Sequence, residues 1–277
     1  MCEFDSGDDI LRGNELSRRQ FGAMGAGAVF MAALPRVAGA ADVSESEVQI
    51  RTPDGTCDAH FVHPAGATAA VLVWPDIFGL RPAFRTMGKR LAEAGYAVLT
   101  VNPFYRSLKG APADRAAAFA LAPSLNPATH VTDAKAFVAW LDAQKAVDTR
   151  RKIGTTGYCM GGPIVMRTAA TLPARIGAGC SFHGGSLNTN DASSPHLLIP
   201  QMKASMLIAI ADNDDQSNPT SKDILRKAFD DAKVPAEIEV YKGANHGWCA
   251  IDSQAYNKDQ AERAWARMLE LFKKALA

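Results

Sequence analysis

The chain has no excess of either charge: Lys and Arg total 30 against 29 Asp and Glu, leaving +1 over 277 residues. No basic run extends beyond pairs, which argues against a nucleic-acid partner. No stretch reaches the roughly 18 apolar residues needed to span a bilayer, and there is no internal repeat. Five cysteines are too few to suggest a disulfide scaffold, and a large domain does not need one. What remains is ordinary globular composition, 47% hydrophobic and 21% charged, long enough for one large α/β domain with a sizeable core.

The first forty residues read differently. Ser17-Arg18-Arg19-Gln20-Phe21 precedes a Gly/Ala-rich apolar run from Gly22 to Leu34, and Ala38-Gly39-Ala40 follows. Paired arginines, a short apolar segment and an A-x-A site make residues 1–40 a cleavable twin-arginine export signal. The expectation is a periplasmic or otherwise exported protein whose macromolecular partner is that export machinery. Residues 41–277 form its single domain, acting as a monomer.

Beyond residue 40, strand-like and helix-like segments alternate. Val48–Thr52 and Cys57–His63 flank a Pro53-Asp54-Gly55 turn, the pattern of an antiparallel hairpin. Ala69–Trp74 is a continuous apolar run, as a strand covered on both faces should be, and Tyr96–Val101 reads as the next buried strand. Between them Phe84, Met87, Leu91 and Ala94 recur at helical spacing. The prolines between residues 103 and 127 mark a loop with a short helix. Further strands follow at Ile176–Phe182, Met206–Ala211 and Ala236–Tyr241, with a helix over 221–232 and a last helix carrying the stripe Ala261, Ala264, Trp265, Met268, Leu269 and Phe272. The alternation predicts a mostly parallel sheet with helices on both faces and an N-terminal antiparallel hairpin. Ligands should bind beyond the carboxyl ends of its strands.

One motif stands at such an end. Gly157-Tyr158-Cys159-Met160-Gly161 separates a short β-branched segment from Gly162-Pro163-Ile164-Val165-Met166, which opens like a helix. This is the form of a nucleophile elbow with cysteine in place of serine. A helix starting there aims unpaired N–H groups and partial positive charge at the sulfur, which favours thiolate. The plainer reading is a structural cysteine in a Gly-rich turn.

A cysteine nucleophile needs a base, an acid to orient that base, and oxyanion donors. Of six histidines, His246 in Gly243-Ala244-Asn245-His246-Gly247 follows the last strand, where chain order in elbow enzymes puts the base. His183 also follows a central strand, as a rival or as a pocket residue. The acid belongs in Ala211-Asp212-Asn213-Asp214-Asp215, and spacing does not choose among the three aspartates. The amides of Met160 and Ile77 are the expected oxyanion donors, the latter in Pro75-Asp76-Ile77-Phe78-Gly79-Leu80. Phe78 and Trp248 read as pocket walls or as core. Cys57, His60 and His63 have metal-ligand chemistry, but strand alternation divides them between two faces. No metal or cofactor is expected.

These residues resemble the dienelactone hydrolase family of α/β hydrolases. The resemblance covers about Val48 to Leu276 and rests on the Pro75–Leu80 loop, Pro103-Phe104-Tyr105-Arg106, the elbow with Tyr158, Cys159 and Met160, Asp214, and the His246 loop. It implies the α/β-hydrolase fold and a Cys159, Asp214, His246 triad. It implies a substrate-binding role for Arg106, and it gives Asp76 the place of a carboxylate that holds the resting thiol. Two positions depart from it. Asp76 stands where the family's lactonases carry glutamate, and Ala250 stands where they carry a second substrate-binding arginine. The activity implied is cleavage of a small ester or lactone through a thioester acyl-enzyme. A thioesterase or small-peptide hydrolase on the same fold, a non-catalytic exported binding protein and a redox-sensing thiol are the alternatives.

Overall fold

The computed structural model describes residues 33–35 and 39–277. The paired arginines and the apolar run that follows them lie outside these residues. Among the described residues no helix is long and apolar enough to cross a membrane.

Eight strands form one sheet: β1 (Val43–Thr52), β2 (Gly55–Pro64), β3 (Ala70–Trp74), β4 (Ala97–Val101), β5 (Ile153–Tyr158), β6 (Ile176–Phe182), β7 (Ser205–Ala211) and β8 (Ala236–Tyr241). Their order is β1-β2-β4-β3-β5-β6-β7-β8. β1 and β2 pair antiparallel through the expected hairpin, and β2 pairs antiparallel with β4. Every pairing from β4 across to β8 is parallel. This is the arrangement the resemblance implies. β1 begins five residues earlier than the sequence suggested. Its first half, Ser44 to Glu47, is exposed and polar, so it carries no apolar signal and is held by backbone pairing to Val62, Phe61 and their neighbours.

The helices are α1 (Pro82–Glu93), α2 (Arg115–Leu121), α3 (Pro127–Asp142), α4 (Gly161–Thr171), α5 (Asp212–Ser217), α6 (Ser221–Ala232) and α7 (Lys258–Ala275). Side-chain alternation divides the core between the two sheet faces. Ala70, Leu72 and Trp74 of β3 join Phe137 and Leu141 of α3, Val165 of α4 and Phe229 of α6. Ala69, Val71 and Val73 turn the other way, to Phe84 and Leu91 of α1 and Met268 and Phe272 of α7. All five residues of β3 and of β4 are buried, which explains why β3 reads as an unbroken apolar run and β4 as one broken only by Thr100.

Local chemistry sets the helix starts. Asn126 accepts from the Thr129 amide while the Thr129 hydroxyl takes the Asn126 amide, a complete capping box with Pro127 behind it. Asn257 caps α7 by accepting from the Gln260 amide. α1 has no side-chain cap; Arg81 occupies that position, ahead of Pro82. A cation there opposes the helix dipole, so another element must hold it.

Candidate active site

The carboxyl ends of β3, β5, β6, β7 and β8 carry the site. Cys159 sits between β5 and α4 at φ +53°, the left-handed region that costs a non-glycine residue roughly 1–2 kcal/mol. Two glycines make the bend possible by absence of bulk. A Cβ on Gly157 would overlap the Gly161 carbonyl, and one on Gly161 would meet Trp74 O at 2.5 Å and Pro75 O at 3.1 Å. The elbow therefore rests directly on the loop that follows β3. The Cys159 amide donates to Phe182 O at 3.0 Å, anchoring the bend to β6, and its side chain is half-buried.

The base is brought from β8. His246 Nδ1 and Asp214 Oδ2 lie 2.7 Å apart, and Cys159 is close enough to raise the proton affinity of the same imidazole. The aspartate-rich run after β7 is the first turn of α5, not a loop. The sequence assigned it to a loop because a run of polar residues has no helical apolar period. The turn fixes the histidine loop three times. Asp212 Oδ2 accepts from the Gly243 amide at 2.9 Å, Asn213 Oδ1 from the His246 amide at 2.7 Å, and Asp214 from the His246 ring. Asp215 turns away to the Lys222 ammonium. Geometry thus makes the choice that spacing could not. Burial works against a charged His246, but Asp214 and Cys159 outweigh it and push its pKa up to about 10.

His183, at φ +41° and 1% exposed, lies against His246 with ring centroids 4.9 Å apart. Burial, and then the charge of His246, hold its pKa well below the usual histidine range. Of the two readings left open for Trp248, burial favours core: it is fully buried, stacked 4.6 Å from Tyr241 and edge-on to His183. It therefore supports the site from behind and is not a pocket wall. Tyr158 is likewise buried and stacks on Phe182.

Phe78 and Ile77 are half-buried in the β3 loop, and Met160 is half-buried at the start of α4. The Phe78 amide donates to Asp76 Oδ1 at 2.9 Å and the Gly79 amide to Asp76 O, a turn that shapes this loop. Among the described residues Asp76 makes no hydrogen bond to Cys159. Arg81 takes both of its carboxylate oxygens, at 2.6 and 3.0 Å, and also grips Asp252 at 2.6 and 2.8 Å. Arg106 is similarly engaged, with Asp54 and with buried Asp133. Arg81 and Asp252 escaped the sequence reading, because a partnership across 171 positions has no local pattern. The one signal was a helix opening on Arg-Pro without a capping residue.

The three residues considered for metal have other partners. The Cys57 thiol donates to Asn102 O, His60 Nε2 meets Glu45, and His63 Nδ1 meets Pro64 O. All four described cysteines are free thiols.

Comparison with known proteins bears on the fold and the family. A carboxymethylenebutenolidase of Rhodococcus opacus is 27% identical over 234 residues, spanning 82% of this chain and 90% of that protein. Two solved structures share the fold. A dienelactone hydrolase-like promiscuous phosphotriesterase from metagenomic libraries has a TM-score of 0.74 at 22% identity, covering 86% of this chain and 100% of its own. A dienelactone hydrolase from Anabaena variabilis has a TM-score of 0.63 at 18% identity, covering 85% and 99%. The model of the dienelactone hydrolase family matches residues 57–276, from the second hairpin strand to the last helix, and the chain belongs to that family.

Proposed function

We propose that the chain hydrolyses small carboxylic esters or lactones through a thioester formed on Cys159. The observation that carries this reading is the 2.7 Å pairing of His246 Nδ1 with Asp214 Oδ2, with Cys159 close enough to raise the proton affinity of the same imidazole. Asp214 accepts the Nδ1 proton, fixes the tautomer and stabilises the imidazolium. His246 takes the thiol proton, or already holds it and stabilises the thiolate, as the sulfur bonds to the acyl carbon. The amides of Met160 and Ile77 receive the oxyanion; losing one such donor typically costs 10²–10³ in rate. When the C–O bond breaks, the leaving alkoxide takes the proton from His246. Water, deprotonated by the same imidazole, then attacks the thioester, the C–S bond breaks and the thiol is restored. Thiolate is a better leaving group than alkoxide, so activated esters and enol-lactones should react faster than amides. His183 and Phe78 border this chemistry, with Tyr158 and Trp248 as its packed support.

The export signal and its cleavage after Ala40 belong to the same proposal, supported by the Arg18-Arg19 motif and the A-x-A site. The mature 41–277 domain would then act outside the cytoplasm as a monomer.

The decisive experiment is hydrolysis of p-nitrophenyl acetate by the wild type and by Cys159→Ala, with mass spectrometry of the quenched enzyme. An acetyl group on the Cys159 peptide and loss of turnover in the variant are expected. Unchanged turnover without Cys159 would remove it from the mechanism.

A further inference from the structure

An arginine beside an acyl-transfer site ordinarily invites a substrate carboxylate, because its planar fork matches the two oxygens. Here the forks nearest the site are filled. Arg81 gives Nε and Nη2 to Asp252, and Nη1 and Nη2 to Asp76. Its side chain is 13% exposed, and those of Asp76 and Asp252 are 10% and 9% exposed. Its guanidinium also lies over the rings of Phe84 and Phe78, at 4.8 and 5.4 Å, which closes it further to solvent.

The location matters as much as the pairing. Asp76 follows Pro75, whose carbonyl adjoins Gly161 in the elbow. Asp252 lies in the turn-rich segment after His246, tied back by Ala250 N to Gly247 O and Ser253 N to Ala250 O. The clamp therefore joins the loop expected to hold the oxyanion to the loop that carries the base. It contains two carboxylates and one guanidinium, so it carries net negative charge.

Arg106 repeats the pattern. Asp54 and Asp133 both hold it, and again carboxylates outnumber the cation. The imidazolium of His246 is balanced by Asp214. Arg167 of α4 is buried and gives Nη2 to Ser193 O, and both it and Arg106 act on His130 of α3. Ala250 supplies no cation.

We infer that the Asp76–Arg81–Asp252 clamp, with Arg106 held between Asp54 and Asp133, makes this site select uncharged esters and lactones and reject those bearing a carboxylate. The inference rests on the hydrolase reading above. The selection operates by repulsion: an incoming carboxylate meets filled donors and surplus negative charge, whereas a neutral acyl group meets no such barrier.

The test compares p-nitrophenyl butanoate with mono-p-nitrophenyl succinate, which differ at the far end of the acyl chain by a methyl for a carboxylate. At low salt the wild type should show kcat/KM at least about tenfold lower for the succinate. Raising the salt to about 0.5 M should narrow that gap, because screening weakens the repulsion. Asp252→Asn opens two donors of Arg81 and removes one charge, and it should raise the succinate-to-butanoate ratio by about tenfold. Asp76→Asn should shift the ratio the same way, and either variant suffices if the other does not fold. Equal efficiency on both esters in the wild type, or a salt-independent gap that neither variant narrows, overturns the inference. Failure to hydrolyse either ester, or full activity in Cys159→Ala, overturns the hydrolase reading instead.

Discussion

His183 and His246 lie ring against ring, centroids 4.9 Å apart at 63°, and only one of them is placed to hold a proton. His246 has the Asp214 carboxylate on Nδ1. Neither ring nitrogen of His183 has a partner among the described residues. Burial makes its charged form costly, and a charged His246 beside it adds repulsion.

This pair gives the first prediction, on acid stability. Unfolded His183 takes up a proton as pH falls through about 6.5, whereas the folded state resists. Stability is therefore lost below that pH, at up to about 1.4 kcal/mol per pH unit for one histidine. His130, whose pKa burial pushes down to about 3, acts in the same direction. His183→Phe should remove one histidine's share of the slope of melting temperature against pH between 6.5 and 4.5. A slope equal to that of the wild type would mean that His183 protonates in the folded protein.

The second prediction concerns Asp214→Asn and the opposite limb. The folded pKa of His246 is raised to about 10 from 6.5. Its contribution to stability is complete below 6.5 and is lost as pH rises through about 10. Asn cannot supply the negative charge. The variant should show a smaller alkaline loss of stability over that window, an alkaline limb of kcat/KM moved to lower pH, and a rate reduced about 10²-fold or more. An unmoved alkaline limb would detach Asp214 from the proton that matters.

A third set of variants probes the bend. Cys159→Gly should be more stable than Cys159→Ala by about 1 kcal/mol, since only glycine relieves the left-handed backbone. Gly161→Ala should lose about 2 kcal/mol or more through the clash with Trp74 O. Thermal melts of the three proteins decide this; Ala and Gly of equal stability at 159 would argue against strain there.

Arg81→Leu supplies the fourth. It leaves Asp76 and Asp252 buried without their shared cation, a change that typically costs about 3–5 kcal/mol. Arg81→Lys should recover only part, because one ammonium cannot reproduce two bidentate contacts. Urea unfolding measures both, and a loss below about 1 kcal/mol for the leucine variant would show that water replaces the guanidinium freely.

Much of this architecture is legible from residues 43–277 alone, for a physical reason. Strands covered on both faces are mostly apolar, so Ala70–Trp74 and, but for Thr100, Ala97–Val101 announce themselves. The bend around Cys159 is legible because close backbone approach demands glycine at 157 and 161. What escapes is whatever depends on partners distant in the chain. Asp212, Asp214 and Asp215 are chemically alike, and only the position of the Gly243–His246 loop distinguishes them. Trp248 has the same composition as a wall or as a support. Arg81 reads as a surface residue until Asp252 is folded against it.

The order of the strands has a consequence for synthesis. The sulfur of Cys159 leaves the ribosome with β5, whereas its imidazole arrives only behind β8, after β6 and β7 have each extended the sheet. If Cys159 is the nucleophile proposed above, it is synthesised before its base, and the two can assemble only after the β8 segment has been made.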